Sequence, residues 1–335
     1  MTVLFVCQPL RCAPFIPTDS GGLNAVGGKR GASALHVCAS HGQGNSELFQ
    51  LLMSLKADCN TLDATGNSPL HAAICAHDTV KHALESAVAI IACKRAKLNA
   101  VTTSSRDTAL TLASARHLPD IMAELVRAGA DVNLANNAGD TAMHLACRPV
   151  AGPGDKQQWS KQPAEVLLSS KALKLDAVNA KGQTALLVLA SSARWWEGAV
   201  PVAAAMVSNR SCALNVLDHA GLTALHYALG AGASFGSLFG LGHGPAIALH
   251  IINHPGSDVN IISKDRATEA AIHRCSQQGL PDVCKALIKR NADVNVANSS
   301  GYMPLHLAVS SGSSPGELWL ANLRCPCDCC PFWSR

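Results

Sequence analysis

Apolar and polar positions along this chain recur in a short, fixed frame. Eight stretches carry it: G-A-S-A-L-H at 31–36, G-N-S-P-L-H at 66–71, R-D-T-A-L-T at 106–111, G-D-T-A-M-H at 139–144, G-Q-T-A-L-L at 182–187, G-L-T-A-L-H at 221–226, T-E-A-A-I-H at 268–273 and G-Y-M-P-L-H at 301–306. The final slot holds His36, His71, Thr111, His144, Leu187, His226, His273 and His306. In all eight the residue before that slot is apolar and the one before it is Ala or Pro. Six copies place Ser or Thr three residues ahead of the slot, among them Thr108, Thr141, Thr184 and Thr223, and six place Gly five residues ahead. A hydroxyl followed by Ala/Pro-Leu-His starts a helix, because the oxygen accepts from free N–H groups and Pro is tolerated in the first turn. The Gly allows a turn with positive φ. Asp63, Asn136, Asn179, Asp218, Asp265 and Asn298 each lie three residues before the Gly slot, where a side-chain oxygen can close that turn.

A second mark closes each unit at Asn60, Asn99, Asn133, Asp176, Asn215, Asn260 and Asn295. From each mark to the next His slot is 11–13 residues, whereas from His slot to mark the distance ranges from 22 to 34. Length variation therefore sits in the middle of the unit, with the sixth and fourth units longest and the second and fifth equal behind them. A second apolar-periodic stretch fills that middle, clearest in P-D-I-M-A-E-L-V-R-A-G-A from Pro119, with Ile121, Leu125 and Val126 on one face and Gly129 at the end. The unit reads as turn, helix, short loop, helix.

These stretches resemble the ankyrin repeat family, best in L-A-N-N-A-G-D-T-A-M-H-L-A from Leu134 and in L-P-D-V-C-K-A-L-I-K-R-N-A-D-V-N with the V-A-N-S-S-G-Y-M-P-L-H-L-A that follows. The resemblance implies an all-α helical solenoid of about eight helix-turn-helix repeats, with the slot histidine bonded to backbone between neighbouring turns. On this reading residues 1–30 are a partly disordered N-terminal extension, and 31–324 form the array. Its units are 31–60, 61–99, 100–133, 134–176, 177–215, 216–260, 261–295 and 296–324, and 325–335 is a Cys-rich tail.

Composition narrows the function. Over 335 residues the net charge is +4, charged residues are 15% and aromatics 4%, so nothing calls for a polyanion, and Ala, Leu and Val must build the core. Scattered cysteines in apolar settings read as reduced, and the N-terminus lacks a secretory pattern, so a cytoplasmic or nuclear location is expected. The uncharged stretch 228–252 holds six glycines and a proline, a poor membrane span.

No stretch carries a catalytic or cofactor signature. His250 and His254 are one helical turn apart but lack the Glu of H-E-x-x-H. The glycines after Gly230 follow a helix rather than a strand, and no G-x-S-x-G or catalytic-cysteine pattern occurs. No enzyme activity, cofactor, metal, nucleic acid, membrane or small-molecule substrate is expected. The resemblance implies a non-enzymatic scaffold or adaptor that binds a protein partner through turn tips and first helices. On the tips the candidate contacts are Arg106, Asp140, Lys181, His219, Arg266 and Tyr302. Trp195 and Trp196, with Trp159, Phe235 and Phe239, form a second candidate in the long loops, as interface or as self-packing. Two other readings stand beside this one: an adaptor or fragment of a larger ligase- or kinase-type enzyme, and a metal- or redox-responsive protein acting through Cys325, Cys327, Cys329 and Cys330.

Overall fold

The computed structural model describes residues 22–41, 46–76, 83–151, 157–193, 196, 198–230 and 242–310. Most of the N-terminal extension, Trp195, the 231–241 loop and the Cys-rich tail lie outside them. The described residues hold fifteen α-helices and four strands of two residues, the all-α class expected. The chain falls into two compact units, Met1–Leu145 with Ser169–Ala172, and Ala146–Leu168 with Leu173–Arg335.

The first unit opens on a hairpin, β1 (Val26–Gly27) antiparallel to β2 (Ala32–Ser33). The helices α1 (Ala34–His41), α2 (Ser46–Ser54), α3 (Pro69–Ala76), α4 (Ala83–Ala92), α5 (Ala109–Ala115) and α6 (Pro119–Arg127) follow, then α7 (Ala142–Ala146), which reaches the unit's edge. First helices pack on first helices, α1 on α3 and α3 on α5, and second on second, α4 on α6. The core lies between the two rows, where Leu110 of α5 and Ile121 and Leu125 of α6 are fully buried. Met122 joins them, while Val126, expected on that face, is only half-buried.

The second unit contains β3 (Val150–Ala151) antiparallel to β4 (Gln157–Gln158), α8 (Gln162–Leu168), α9 (Ala185–Val188), which continues as a π-helical segment over Leu189–Ala193, α10 (Ala199–Ser208), α11 (Ala224–Ala228), α12 (Gly244–Asn253), α13 (Ala271–Gln277), α14 (Pro281–Lys289) and α15 (Pro304–Ser310). None of the described helices is long and apolar enough to cross a membrane.

Three polar ladders set the register. In the first, the slot histidine works at both ends of its ring at His36 and His226, whereas Nε2 of buried His71 and His273 meets no hydrogen-bond partner. His36 Nδ1 accepts from the backbone N–H of Ser33 at 3.2 Å and lies 2.8 Å from its hydroxyl, while Nε2 lies 2.9 Å from the Asn67 carbonyl of the next repeat. His226 repeats this with Thr223 and the Glu269 carbonyl, at 3.0 Å and 43 residues away. An Nδ1 that accepts an N–H carries no proton, so the ring is neutral with its hydrogen on Nε2. Thr111 keeps only the local half: Thr108 and Thr111 each donate a backbone N–H to the other's hydroxyl oxygen. Leu187 fills its slot by burial alone.

The second ladder is the closing asparagine. Asn60 donates to the Arg95 carbonyl and accepts from the Lys97 N–H, and Asn215 and Asn260 bridge onward in the same way. Asn24, 12 residues before His36, supplies the accepting half of such a bridge, taking the Asp58 N–H at 2.8 Å.

The third ladder closes each tip. Asp63 Oδ1 accepts from the N–H groups of Thr65 and Asn67, and Asn136, Asn179, Asp218 and Asn298 accept at the same offsets. In the two longer tips a hydroxyl takes this place: Thr102 accepts from Asp107 N–H and Ser263 from Glu269 N–H. Asp265, expected there, instead closes an inner turn through the Ala267 and Thr268 N–H groups.

The expectation of reduced cysteines fails at one place. Cys275 and Cys284 form a disulfide, because α13 and α14 turn buried faces to each other and bring the two Cα atoms to 6.0 Å.

Two outcomes follow from the ladders. Burial holds the His226 ring well below its ordinary titration, at about 4, against the opposing pull of the Glu269 carbonyl. A histidine neutral in the fold and protonated when unfolded withdraws stability as pH falls from about 6.5 toward about 4, by about 1.4 kcal/mol per pH unit. Urea denaturation between pH 7 and pH 5 should show this fall, and His226→Leu, which cannot titrate, should fall less steeply; equal slopes would remove the assignment. At Thr268 a β-branched residue sits in the Gly slot at φ 47°. Thr268→Gly should raise stability by about 0.5–1 kcal/mol, the left-handed penalty less glycine's entropy; a lower melting temperature would contradict it.

Candidate functional site

Each tip is a short turn whose ends are fixed by the ladders, so its outward side chains are not needed to hold the turn. Consecutive tips are joined directly. In the first unit the Ala64 N–H donates to the Arg30 carbonyl and the Asn137 N–H to the Ser105 carbonyl, both at 2.8 Å. In the second the His219 N–H donates to Lys181, the Lys264 N–H to Gly221 and the Ser299 N–H to Ala267. The tips approach so closely that a Cβ on Gly182 would lie 2.9 Å from the His219 ring, and one on Gly221 2.5 Å from the Lys264 side chain. Within each unit the tip side chains therefore form one continuous row.

The row has a consistent charge pattern. Its carboxylates face inward. Asp218 is buried and accepts from the hydroxyl of Tyr227 besides its two backbone donors. Glu269 is buried against Arg274, which also holds Asp265. Burial alone would raise the Asp63 carboxyl, yet the Thr65 and Asn67 donors outweigh it and hold the group below the usual carboxylate range. Asp265 is lowered in the same way, with the Ser263 hydroxyl and Arg274 overcoming burial.

The exposed charges of the row are basic. In the first unit they are Lys29, Arg30 and Arg106, and in the second Lys181, Lys264 and Arg266, with exposed His219 among them. Exposed Asp131, Asp258 and Asp293 stand at the entrance to the turns, each accepting from the N–H two residues on.

The candidates from sequence fall into three groups. Arg106, Lys181, His219, Arg266 and Tyr302 stand exposed on tips, Arg106 in the Gly slot with φ 55° and Tyr302 beside His306. Asp140 does not: it is 2% exposed, because its position immediately before the helix cap points into the unit. Trp196 is half-buried, its carbonyl accepting from Ala199 N–H, and Trp195 is outside the described residues.

One feature of the tips escaped sequence reading. Leu62, Val101, Val178 and Ile262 are exposed at one shared position, just before the residue that closes the tip. They line the base of the basic row with apolar surface. The spacing could have found them, since each begins the 11- to 13-residue turn-to-helix segment's rise toward its tip.

The long-loop aromatic Trp159 folds back on its own unit. Its indole N–H donates to the Ala146 carbonyl at 3.0 Å, and its ring lies over Gly198, where a Cβ would be 3.1 Å away. His254 accepts from the Gly256 N–H in a local, exposed bond, and no group of three or more His, Cys, Asp or Glu among the described residues is placed to hold a metal.

Comparison with known proteins agrees with this geometry. A family described as "Ankyrin repeats (3 copies)" matches residues 240–328, and one described as "Ankyrin repeat" matches 105–137. The human protein "Ankyrin repeat and SOCS box protein 16" is 33% identical over 144 residues, 43% of this chain and 29% of that protein. The chain thus spans under a third of that relative's length. The crystal structure of the ankyrin repeat domain of Bcl-3 superposes with a TM-score of 0.51 at 24% identity, covering 72% of this chain and 94% of that one.

The Trp159 geometry gives a direct test. Trp159→Phe keeps a ring over Gly198 but loses the bond to Ala146, which should lower stability by about 0.5–1.5 kcal/mol. Trp159→Ala should lower it further. If urea midpoints of both variants match the parent protein, the ring is not structural.

Proposed function

The chain belongs to the ankyrin repeat family, and from that premise we propose that it is a non-catalytic binding module holding a protein partner through its turn tips and first helices. The observation that carries this reading is the charge pattern of the tips. Every carboxylate between the closing residue and the helix cap is engaged in the turn or turned into the unit, while Lys29, Arg30, Arg106, Lys181, Lys264 and Arg266 stand in solvent. Opposite charge steers encounter and selects partners more than it adds raw affinity. The apolar residues at the base of the row, Leu62 and Val101 in one unit and Val178 and Ile262 in the other, supply surface that water leaves on contact. An extended acidic segment with interspersed apolar side chains fits both features. It would meet ammonium and guanidinium groups at the tips and aliphatic side chains beneath them.

An array of peptides that vary in charge and apolar content should be enriched for acidic members, with capture weakening as salt rises. Replacing Lys181, Lys264 and Arg266 together with Glu should weaken capture roughly threefold to a hundredfold, at about 0.2–1 kcal/mol per exposed pair lost. The melting temperature should stay near that of the parent protein, since these side chains hold no turn. Retained capture by the folded triple variant, or selection of neutral or basic peptides, would overturn the reading.

A further inference from the structure

The apolar position before each closing mark is Leu or Val in six repeats, at Leu98, Val132, Leu175, Leu214, Val259 and Val294, but Cys59 in the remaining one. The thiol of Cys59 is buried, and its Sγ lies 4.0 Å from Sγ of Cys93, which follows α4 in the next repeat and is half-exposed. Three hydrogen bonds pin the two loops together around the sulfurs. Asn60 donates to the Arg95 carbonyl, Lys97 N–H donates to Asn60 Oδ1, and the Arg95 guanidinium donates to the Lys56 carbonyl. The same guanidinium therefore stands beside the more exposed sulfur.

We propose that Cys59 and Cys93 form a peroxide-reactive dithiol, with Cys93 the attacking sulfur, Cys59 the resolving one, and a disulfide between neighbouring repeats the product. Hydrogen peroxide or an alkyl hydroperoxide is the oxidant. The Cys93 thiolate attacks one peroxide oxygen and the O–O bond breaks. The departing hydroxide or alkoxide takes up a proton, and Cys93 is left as a sulfenic acid. Cys59 gives up its proton and attacks that sulfur; the S–O bond breaks, and the hydroxyl leaves as water. With hydrogen peroxide the sum is two thiols and one peroxide giving one disulfide and two waters, the electron pair passing from sulfur to oxygen.

The division of roles follows from surroundings. Burial opposes the Cys93 thiolate, but the Arg95 N–H, the Cys59 thiol and the Arg95 charge outweigh it, so its titration is lowered. Burial, together with the neighbouring Cys93, pushes Cys59 up to about 11. Of the two, Cys93 gives up its proton more readily, and the Cys59 thiol is placed to donate toward it. A thiolate that is accessible and next to a second thiol is the arrangement that traps peroxide. Among the described residues burial pushes Cys38 up to about 11, and Cys147 and Cys212 up to about 12, the opposite of Cys93. Closing the bond requires the sulfurs to move from 4.0 Å to about 2.05 Å. That is a rotation of the two side chains within loops already fixed to each other.

The test treats the reduced full-length chain with stoichiometric hydrogen peroxide and maps its peptides without reductant. The expected product is a peptide pair joined through Cys59 and Cys93, lighter by two hydrogens and restored by dithiothreitol. Cys59→Ser should leave a sulfenic acid on Cys93 that dimedone labels, whereas Cys93→Ser should leave Cys59 unmodified. Arg95→Gln should slow alkylation of Cys93 at neutral pH, by about tenfold for each unit its titration rises. Circular dichroism checks that each variant is folded. If peroxide leaves the pair reduced, joins Cys93 to a different cysteine, or labels Cys59 in preference to Cys93, the proposal fails.

Discussion

One bond ties neighbouring repeats at two of the slots: the hydrogen that His36 and His226 give from Nε2 to the carbonyl just before the next helix cap. It can form only if the next tip arrives at the right height, whatever lies between. His36 reaches Asn67 across 31 residues and His226 reaches Glu269 across 43, at nearly the same distance. At these two slots the histidine holds the register, and the loop between the helices is free to lengthen. A longer loop costs little in closure entropy, about 0.6 kcal/mol per doubling, so insertions accumulate where no ladder passes. The β3–β4 hairpin after α7 is one such insertion, and its neighbour Trp159 returns to cover the Ala146 carbonyl. An exposed helix end is thereby satisfied by the added chain itself.

The same economy separates structure from recognition at the tips. A tip closed by its Asp, Asn, Thr or Ser leaves the intervening side chains without a structural task. Carboxylates are drawn into the ladders because they accept several N–H groups at once, as Asp63 does from Thr65 and Asn67. Ammonium and guanidinium groups cannot accept at all, and they are left outside. The basic row is thus a by-product of how the turns are built as much as of which residues occupy them. The exception fits the rule: Arg274, a base turned inward, is the group that holds Asp265 and Glu269.

Much of this was legible in the sequence, because the ladders act over short, fixed spacings. The helix caps at Thr108, Thr184 and Thr223, the tip-closing residues and the histidine frame all follow from local chemistry, and they stand where the spacing put them. What spacing alone missed depends on distance in three dimensions. Asp140 and Lys181 both lie in tip segments, but the first is next to the cap and is buried, while the second is at the summit and exposed. Cys275 and Cys284 look like ordinary core residues until two helices face each other. Asn24 carries the offset of a closing mark from His36, but its bond to Asp58 shows only once the two loops are side by side.

Arg106 and Thr268 show how far the collective ladders override local preference. Both occupy the Gly slot with positive φ, where side chains meet their own backbone. Each lies in one of the two longer tips, where a hydroxyl, Thr102 or Ser263, rather than a carboxamide or carboxylate closes the turn. These tips are one and two residues longer than the others, and each is held by several bonds at once. At Ser263 the closing hydroxyl also donates to Asp265, whose second oxygen takes the Arg274 guanidinium. Strain at one residue persists because the bonds on either side of it would all have to break for that residue to relax.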